Sequence, residues 1–326
     1  MLIFVLLFIV GLFLLIKGGD LFVNSAVGIA RRFNLPELLI GATVVSIGTT
    51  LPEVMVSATA TVNGNGAMSY GNAIGSIICN TALIAAITVT VSPSKVDKHS
   101  LRLPVVFFFV AAAFYVFTAY VFGTFSRITG LILLAIFVVY MAVNIIKAKN
   151  ENFEKTSKID VSNLRGDKNF ILLKDTIFLI LGACIIALGS SLVVDNGIEL
   201  ASAIGVPDSV VALTFVALGT SLPELTTAIT SLVKGHSALS LGNIVGANLF
   251  NLVLVSGLSV ILAPFDVPEG QLLFGKSVSL LVDIPLMLVV MAILTIPALM
   301  KGRVSKMQGV ILLLLYAAFC VFQFAV

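Results

Sequence analysis

Two hexapeptides hold residues that could do chemistry together: GTTLPE, Gly48 to Glu53, and GTSLPE, Gly219 to Glu224. In each, two hydroxyl side chains and a glutamate flank a proline. On a helix Thr49 and Glu53 are i,i+4 and Thr50 and Glu53 are i,i+3, so their oxygens share one face; Thr220, Ser221 and Glu224 repeat the spacing. Proline lacks an N–H and crowds the carbonyl four residues back, so Pro52 frees the carbonyl of Gly48 and Pro223 that of Gly219. This predicts an interruption in the middle of each helix. Carboxylate, hydroxyl and carbonyl oxygens are the donors that hard cations such as Ca²⁺ take. The chemistry on offer is cation binding.

Both hexapeptides are set in apolar sequence. Of 326 residues, 59% are hydrophobic and 11% charged, with a mean hydropathy of +1.15; a soluble domain carries about 25% charged residues. Stretches long enough to cross a bilayer fall at 2–17, 37–62, 70–92, 103–122, 127–147, 171–194, 208–233, 240–263, 277–299 and 305–325. The expectation is an all-α integral membrane protein with ten transmembrane helices. Carbonyls freed in hydrocarbon must find a partner, and a desolvated cation is one. A carboxylate at bilayer depth is costly, which makes Glu53 and Glu224 candidate functional groups by default.

Cys79, Cys184 and Cys320 all lie in apolar spans, without the spacing of a zinc site or a disulfide framework. They read as small core hydrophobes. The N-terminal stretch has neither a basic n-region nor an A-x-A-like cleavage site and is read as the first span. With the N-terminus outside, seventeen of nineteen Lys and Arg fall inside, leaving only Arg127 and Lys276 outside. Cytoplasmic loops carry the basic excess, so both termini are expected outside the cell membrane. The net charge of +3 is then a topology signal, with no nucleic-acid surface implied.

The polar segment 147–170 divides the chain into 1–146 and 171–326 and reads as a solvated cytoplasmic linker. Across it the sequence repeats at an offset of 171. Gly18 matches Gly189, Pro36 matches Pro207 and Thr43 matches Thr214, and positions 41–80 share sixteen identities with 212–251 without a gap. Such self-similarity marks an internal duplication. An odd number of spans per copy, five, sends the second copy into the membrane from the opposite side. Inverted repeats with a broken helix in each half are the architecture of secondary transporters, with substrate at the repeat interface.

The third span carries Asn72, Ser76 and Asn80 at i, i+4 and i+8 beside Gly71 and Gly75, small residues that permit close approach of a neighbouring helix. The eighth repeats this with Gly242, Asn243, Gly246 and Asn251, but has Ala247 at the serine position. Asp283, before Ile284 and Pro285, reads as a helix N-cap at the outer interface in preference to an ion ligand. His99 and His236 read as solvated residues of inside loops.

GATVVSIGTTLPE with GNAIGSIICN, and VALTFVALGTSLPE with GNIVGANLFN, resemble the alpha-1 and alpha-2 repeats of the sodium/calcium exchanger family, of prokaryotic type, within the cation/calcium antiporter superfamily. The resemblance implies a secondary antiporter, not an enzyme, that exchanges Na⁺ for Ca²⁺ with no cofactor and no obligate protein partner. It places the ions between the second, third, seventh and eighth spans, while the first and sixth slide across the core to alternate access. On the same grounds Glu53 and Glu224 are the central carboxylates shared by both ions, with Thr49, Thr50, Thr220 and Ser221 as oxygen ligands beside them. Ser46 and Ala217 match positions that give backbone carbonyls, and Ser76, Asn80 and Asn251 match ligands of the third and eighth spans. More than two Na⁺ per Ca²⁺ makes the exchange electrogenic.

Two departures bear on this. Ala247 stands where many members have serine, which removes a hydroxyl from one Na⁺ position. Asn251 stands where the potassium-dependent branch and some prokaryotic members carry aspartate, which argues against K⁺ co-transport. Exchange of H⁺ for Ca²⁺ is the alternative, although the proton-coupled branch usually has a different acidic pattern in these helices. Two other classes fit less well: an intramembrane aspartyl protease needs paired aspartates, and a channel conducts without a counter-ion.

Overall fold

The structure, a computed structural model, describes residues 2–33, 35–156, 167–203, 217–268, 272–273 and 275–325. Ten helical elements follow one another: α1 Leu2–Arg32, α2 Glu37–Val62, α3 Gly66–Val91, α4 Lys98–Phe122, α5 Arg127–Thr156, α6 Asp167–Ala203, α7 Ala217–Thr220 with Leu222–Val233, α8 Ser237–Leu262, α9 Ser279–Lys301 and α10 Lys306–Ala325. Among the described residues, all but α7 contain a window long and apolar enough to cross a membrane. The beginning of the expected seventh span, including Pro207 and Thr214, lies outside the described residues.

Three elements, α1, α5 and α6, overrun their apolar cores. The first span was expected to end at residue 17, yet α1 continues through Lys17 and Asp20 to Arg32. The reason is on its buried face: Gly18, Gly19, Phe22, Val23 and Ala26 continue the apolar stripe, so packing carries the helix past the charges. The segment 147–170 was expected as a connector. Instead α5 runs to Thr156 and α6 begins at Asp167, and residues 157–166 lie outside the described part.

The centre of the molecule is α3 and α8. Inside the protein, 72% of the apolar window of α3 and 83% of that of α8 are buried, against 22% for α1 and 17% for α10. Lipid is therefore met mostly by α1, α4, α5, α6 and α10, where Ile3, Phe13, Phe117, Leu131, Ile180 and Leu314 are exposed. Glycine sets how closely α2 crosses α8. A Cβ on Gly242 would strike the carbonyl of Leu38, and one on Gly246 would strike Ser46 Oγ and the backbone of Ala42. The close approach expected of the small residues thus occurs on α8. It does not occur on α3, where a Cβ on Gly71 or Gly75 would meet nothing within 4 Å.

α1 and α6 pack antiparallel as a pair. Gly11 lies against Gly189, Gly182 against Phe22, and Gly28 against Asp175, whose carboxylate also accepts a hydrogen bond from Arg32 Nε at 2.8 Å. Short pairings tie the loops at the two faces. The strand β1 Thr124–Phe125 pairs antiparallel with β2 Phe265–Asp266, and Lys95 bridges to Arg303. Asp97 caps α4, accepting from the hydroxyl and N–H of Ser100 and the N–H of His99. The Ser100 hydroxyl bond is the main cause holding its carboxyl below the usual carboxylate range.

Candidate cation site

Three elements leave regular α-geometry within the central layers. In α3 a π turn spans Asn80–Ala85, and in α8 another spans Asn251–Val255. The two are related by the same 171-residue offset, so the duplication extends to the backbone. A π turn widens the helix by one residue and leaves carbonyls for other donors. Ser256 Oγ closes the α8 turn by donating to Asn251 O at 3.0 Å. α2 carries a third such turn at Gly41–Val45, where Ser46 Oγ lies 2.7 Å from Gly41 O and 2.9 Å from Asn243 O.

The interruptions predicted at the two prolines are unequal. α2 stays helical through Pro52, its irregular turn lying about two to three turns earlier. α7 does break: Ser221 has φ −91 and ψ 4, and a new helix starts at Leu222 with Pro223 in its first turn, where a missing N–H costs nothing. Glu224 consequently sits at a helix N-terminus, the positive end of the helix dipole, whereas Glu53 is mid-helix.

Glu53 and Glu224 neighbour each other across the α2–α7 boundary, with Thr49 beside Glu224. Both are fully buried, and all four carboxylate oxygens lack a hydrogen-bond partner. Neither has an ion-pair partner among the described residues. One turn before each glutamate, Thr50 Oγ1 and Ser221 Oγ are buried and unpartnered, as are both side-chain polar atoms of Asn80 on α3 and of Asn251 on α8. Thr49 donates to Asn243 Oδ1 at 3.2 Å, and Ser221 lies against Cys79 of α3. Ser76 is buried on α3, Thr220 is half-buried, and Ala217 opens the described part of α7. A pair of bare carboxylates in a low-dielectric interior calls for positive charge, from a cation or a proton. Among the described residues no group of three or more His, Cys, Asp or Glu gathers.

Some expectations fall away here. Asn72 does not face the carboxylates: its Nδ2 donates to Glu53 O at 3.2 Å and Ser57 Oγ at 2.8 Å, which holds α3 to α2. His236 is not simply solvated, since its Nδ1 lies 2.9 Å from Glu37 Oε1. Asn248 was overlooked. It donates to Thr81 Oγ1 at 2.7 Å while its own Oδ1 stays buried and unpartnered; its counterpart in the first repeat is Ile77, so the repeat pattern gave no signal.

A cavity of about 520 Å³ lies beside this cluster, lined by Pro52 and Met55 of α2, Cys184, Ser190 and Asp195 of α6, and Gly219 and Thr220 of α7; neither glutamate lines it. Ser190 Oγ donates to Gly219 O at 2.9 Å, the carbonyl that Pro223 leaves free. Sequence reasoning missed Ser190 because its repeat partner is Gly19. On the opposite face Gly19 is packed shut: an added Cβ would lie 2.7 Å from Thr230 Oγ1 and 2.9 Å from Thr226. A Ser190→Ala variant, losing one hydrogen bond of about 0.5–1.5 kcal/mol, is expected to change turnover by about 2- to 10-fold in reconstituted flux assays. Unchanged turnover and unchanged ion affinities would dismiss that bond from transport.

A model described as "Sodium/calcium exchanger protein" matches residues 3–146 and 174–325. The chain is 32% identical over 354 aligned positions to sodium/calcium exchanger MaX1 of Methanosarcina acetivorans, covering 98% of each. It is 31% identical to the putative antiporter CaxA of Alkalimonas amylolytica, again over 98% of each. Among solved structures, the sodium-calcium exchanger NCX_Mj soaked with Na⁺ and without Ca²⁺ superposes with a TM-score of 0.78 at 30% identity, covering 98% of this chain and 99% of that one. The fold is thus the ten-helix inverted repeat, and the chain belongs to the sodium/calcium exchanger family of multi-pass cation/Ca²⁺ antiporters.

Proposed function

We propose that the protein exchanges Na⁺ for Ca²⁺ by alternating access, with Glu53 and Glu224 as the carboxylates that both ions share. The observation that carries this reading is the pair of buried, unpartnered carboxylates, each with an orphan hydroxyl one turn before it, Thr50 and Ser221. Thr49, Thr50, Thr220 and Ser221 supply hydroxyls from α2 and α7, and Ser76, Asn80 and Asn251 supply oxygens from α3 and α8. Ser46 and Ala217 act through their carbonyls. For Ser46 this fits its contacts, since its hydroxyl is already taken by Gly41 O and Asn243 O. The neutral Asn80 and Asn251 leave the site with two acids and no reason to recruit K⁺. Orphan carboxylates also accept protons, which favours H⁺/Ca²⁺ exchange as the second reading.

Radiocalcium uptake into liposomes separates the readings. Uptake is expected to require internal Na⁺ and to be absent when Na⁺ is replaced by choline, with or without a pH gradient. Uptake driven by a pH gradient alone would move the assignment to H⁺/Ca²⁺ exchange, and uptake without any opposing ion would make the protein a channel.

The orientation belongs to the same proposal: both termini outside and the segment between α5 and α6 cytoplasmic, following the basic loops. A cysteine introduced at Lys155 is expected to react with an impermeant thiol reagent only after cells are permeabilised. Reaction in intact cells would reverse the orientation.

A further inference from the structure

A second cavity, of about 350 Å³, lies on the other side of α3, between α3, α9 and α10. Its mouth is at the N-terminal end of α3, where Ala67 lines it; the neighbouring Met68 lines the first cavity, so both open toward the same membrane face. Its floor is Cys79, which lies against Ser221 and Tyr316 and precedes Asn80 in the chain. The cavity thus runs from the loop at Pro268 to the back of the carboxylate cluster.

Asp283 is the one acid in its lining. The N-cap expected of it is not there. α9 begins at Ser279 with a π turn, Asp283 has helical φ −65 and ψ −51, and its side chain makes no capping bond. Its Oδ1 instead accepts from Gln323 Nε2 of α10 at 3.2 Å, Ser279 is beside it, and no basic residue among the described ones pairs with it. An acid one turn inside a membrane helix without a cationic partner is a site hypothesis by default. Gly71 and Gly75 complete the arrangement: the empty space over them keeps the route beside α3 open down to Cys79.

We infer that Asp283, with Ser279 and Gln323, forms a second cation site that takes one monovalent cation at the mouth of this cavity. A single carboxylate neutralises one positive charge, whereas Ca²⁺ sites gather more acids. The carboxylate and the Ser279 hydroxyl offer oxygens directly, and rotation of the Gln323 amide presents its Oε1. That the cation is Na⁺ rests on the exchange reading above; the site itself does not.

The test uses Cys320, which lines the same cavity, as the remaining thiol in a Cys79→Ala, Cys184→Ala protein. It is run with Glu53 and Glu224 intact and also with both changed to Gln, so that occupancy of the central cluster cannot produce the result. The rate of Cys320 modification by a charged methanethiosulfonate is measured in Na⁺ and in N-methylglucamine at equal ionic strength. Na⁺ is expected to slow modification several-fold in both backgrounds, and Asp283→Asn to abolish the difference between the Na⁺ and N-methylglucamine rates. Protection that is absent, that survives Asp283→Asn, or that Ca²⁺ gives at lower concentration than Na⁺ would overturn the inference. So would modification by lipophilic reagents alone, which would make the cavity a lipid groove.

Discussion

Glu53→Gln and Glu224→Gln are each expected to reduce Na⁺-driven Ca²⁺ flux to the level of protein-free liposomes. Removing one carboxylate leaves a divalent ion half-compensated where water cannot help. Uncompensated buried charge costs about 3–5 kcal/mol, on the order of 100- to 5,000-fold in rate or affinity. Folding should survive, because no lysine or arginine among the described residues depends on either acid and glutamine keeps the shape. Monodisperse elution and an unchanged far-ultraviolet spectrum check that condition. Flux within a few-fold of the parent in either variant would remove these glutamates from the mechanism.

A membrane potential, negative inside, is expected to accelerate forward exchange. With Asn80 and Asn251 neutral, two ionised glutamates give the site a formal charge of −2, which one Ca²⁺ or two Na⁺ neutralise. A third Na⁺ leaves the Na⁺-loaded carrier at +1. One charge crossing the full field is worth about 2.3 kcal/mol per 100 mV, an upper limit of about 50-fold in rate. Asn251→Asp adds an acid, shifts each loaded state by one charge when ionised, and should move the voltage-sensitive step from the Na⁺-loaded to the Ca²⁺-loaded carrier while admitting K⁺. The measurement is flux in liposomes clamped with valinomycin and K⁺ gradients, alongside a K⁺-free control clamped by another ionophore. Flux indifferent to potential rejects the third Na⁺. An absolute K⁺ requirement in the parent rejects the reading of Asn251.

The duplication, the ten helices and the acidic pair were legible in the sequence because each leaves a local mark: hydropathy for spans, a proline next to a glutamate for the site, a constant offset for the repeat. What was hidden depends on contacts between distant segments. Nothing local distinguishes Gly71 and Gly75, which face open space, from Gly242 and Gly246, which carry a helix crossing. Asp283-Ile-Pro has the form of an N-cap, and only the π turn that starts α9 earlier cancels it. Ser190 finds its partner on α7 within the second repeat, in a bond that its counterpart, Gly19, has no side chain to make. Pro52 and Pro223 look equivalent, yet only the second breaks its helix; tertiary packing around α2 holds the first continuous.

The antiparallel pairing of α1 with α6 has an electrical consequence. Antiparallel helix dipoles oppose each other, so the pair presents little net dipole to the transmembrane field. Its side chains balance as well: α1 has Lys17, Arg31 and Arg32 against Asp20, a surplus of two positive charges, and α6 has Asp167, Asp175, Asp195 and Glu199 against Lys168 and Lys174, a surplus of two negative. Moved as one body along the bilayer normal, the pair displaces no net formal charge. Were this pair to slide as the family resemblance implies, its movement would be electrically silent, and any current accompanying turnover would measure the transported ions alone.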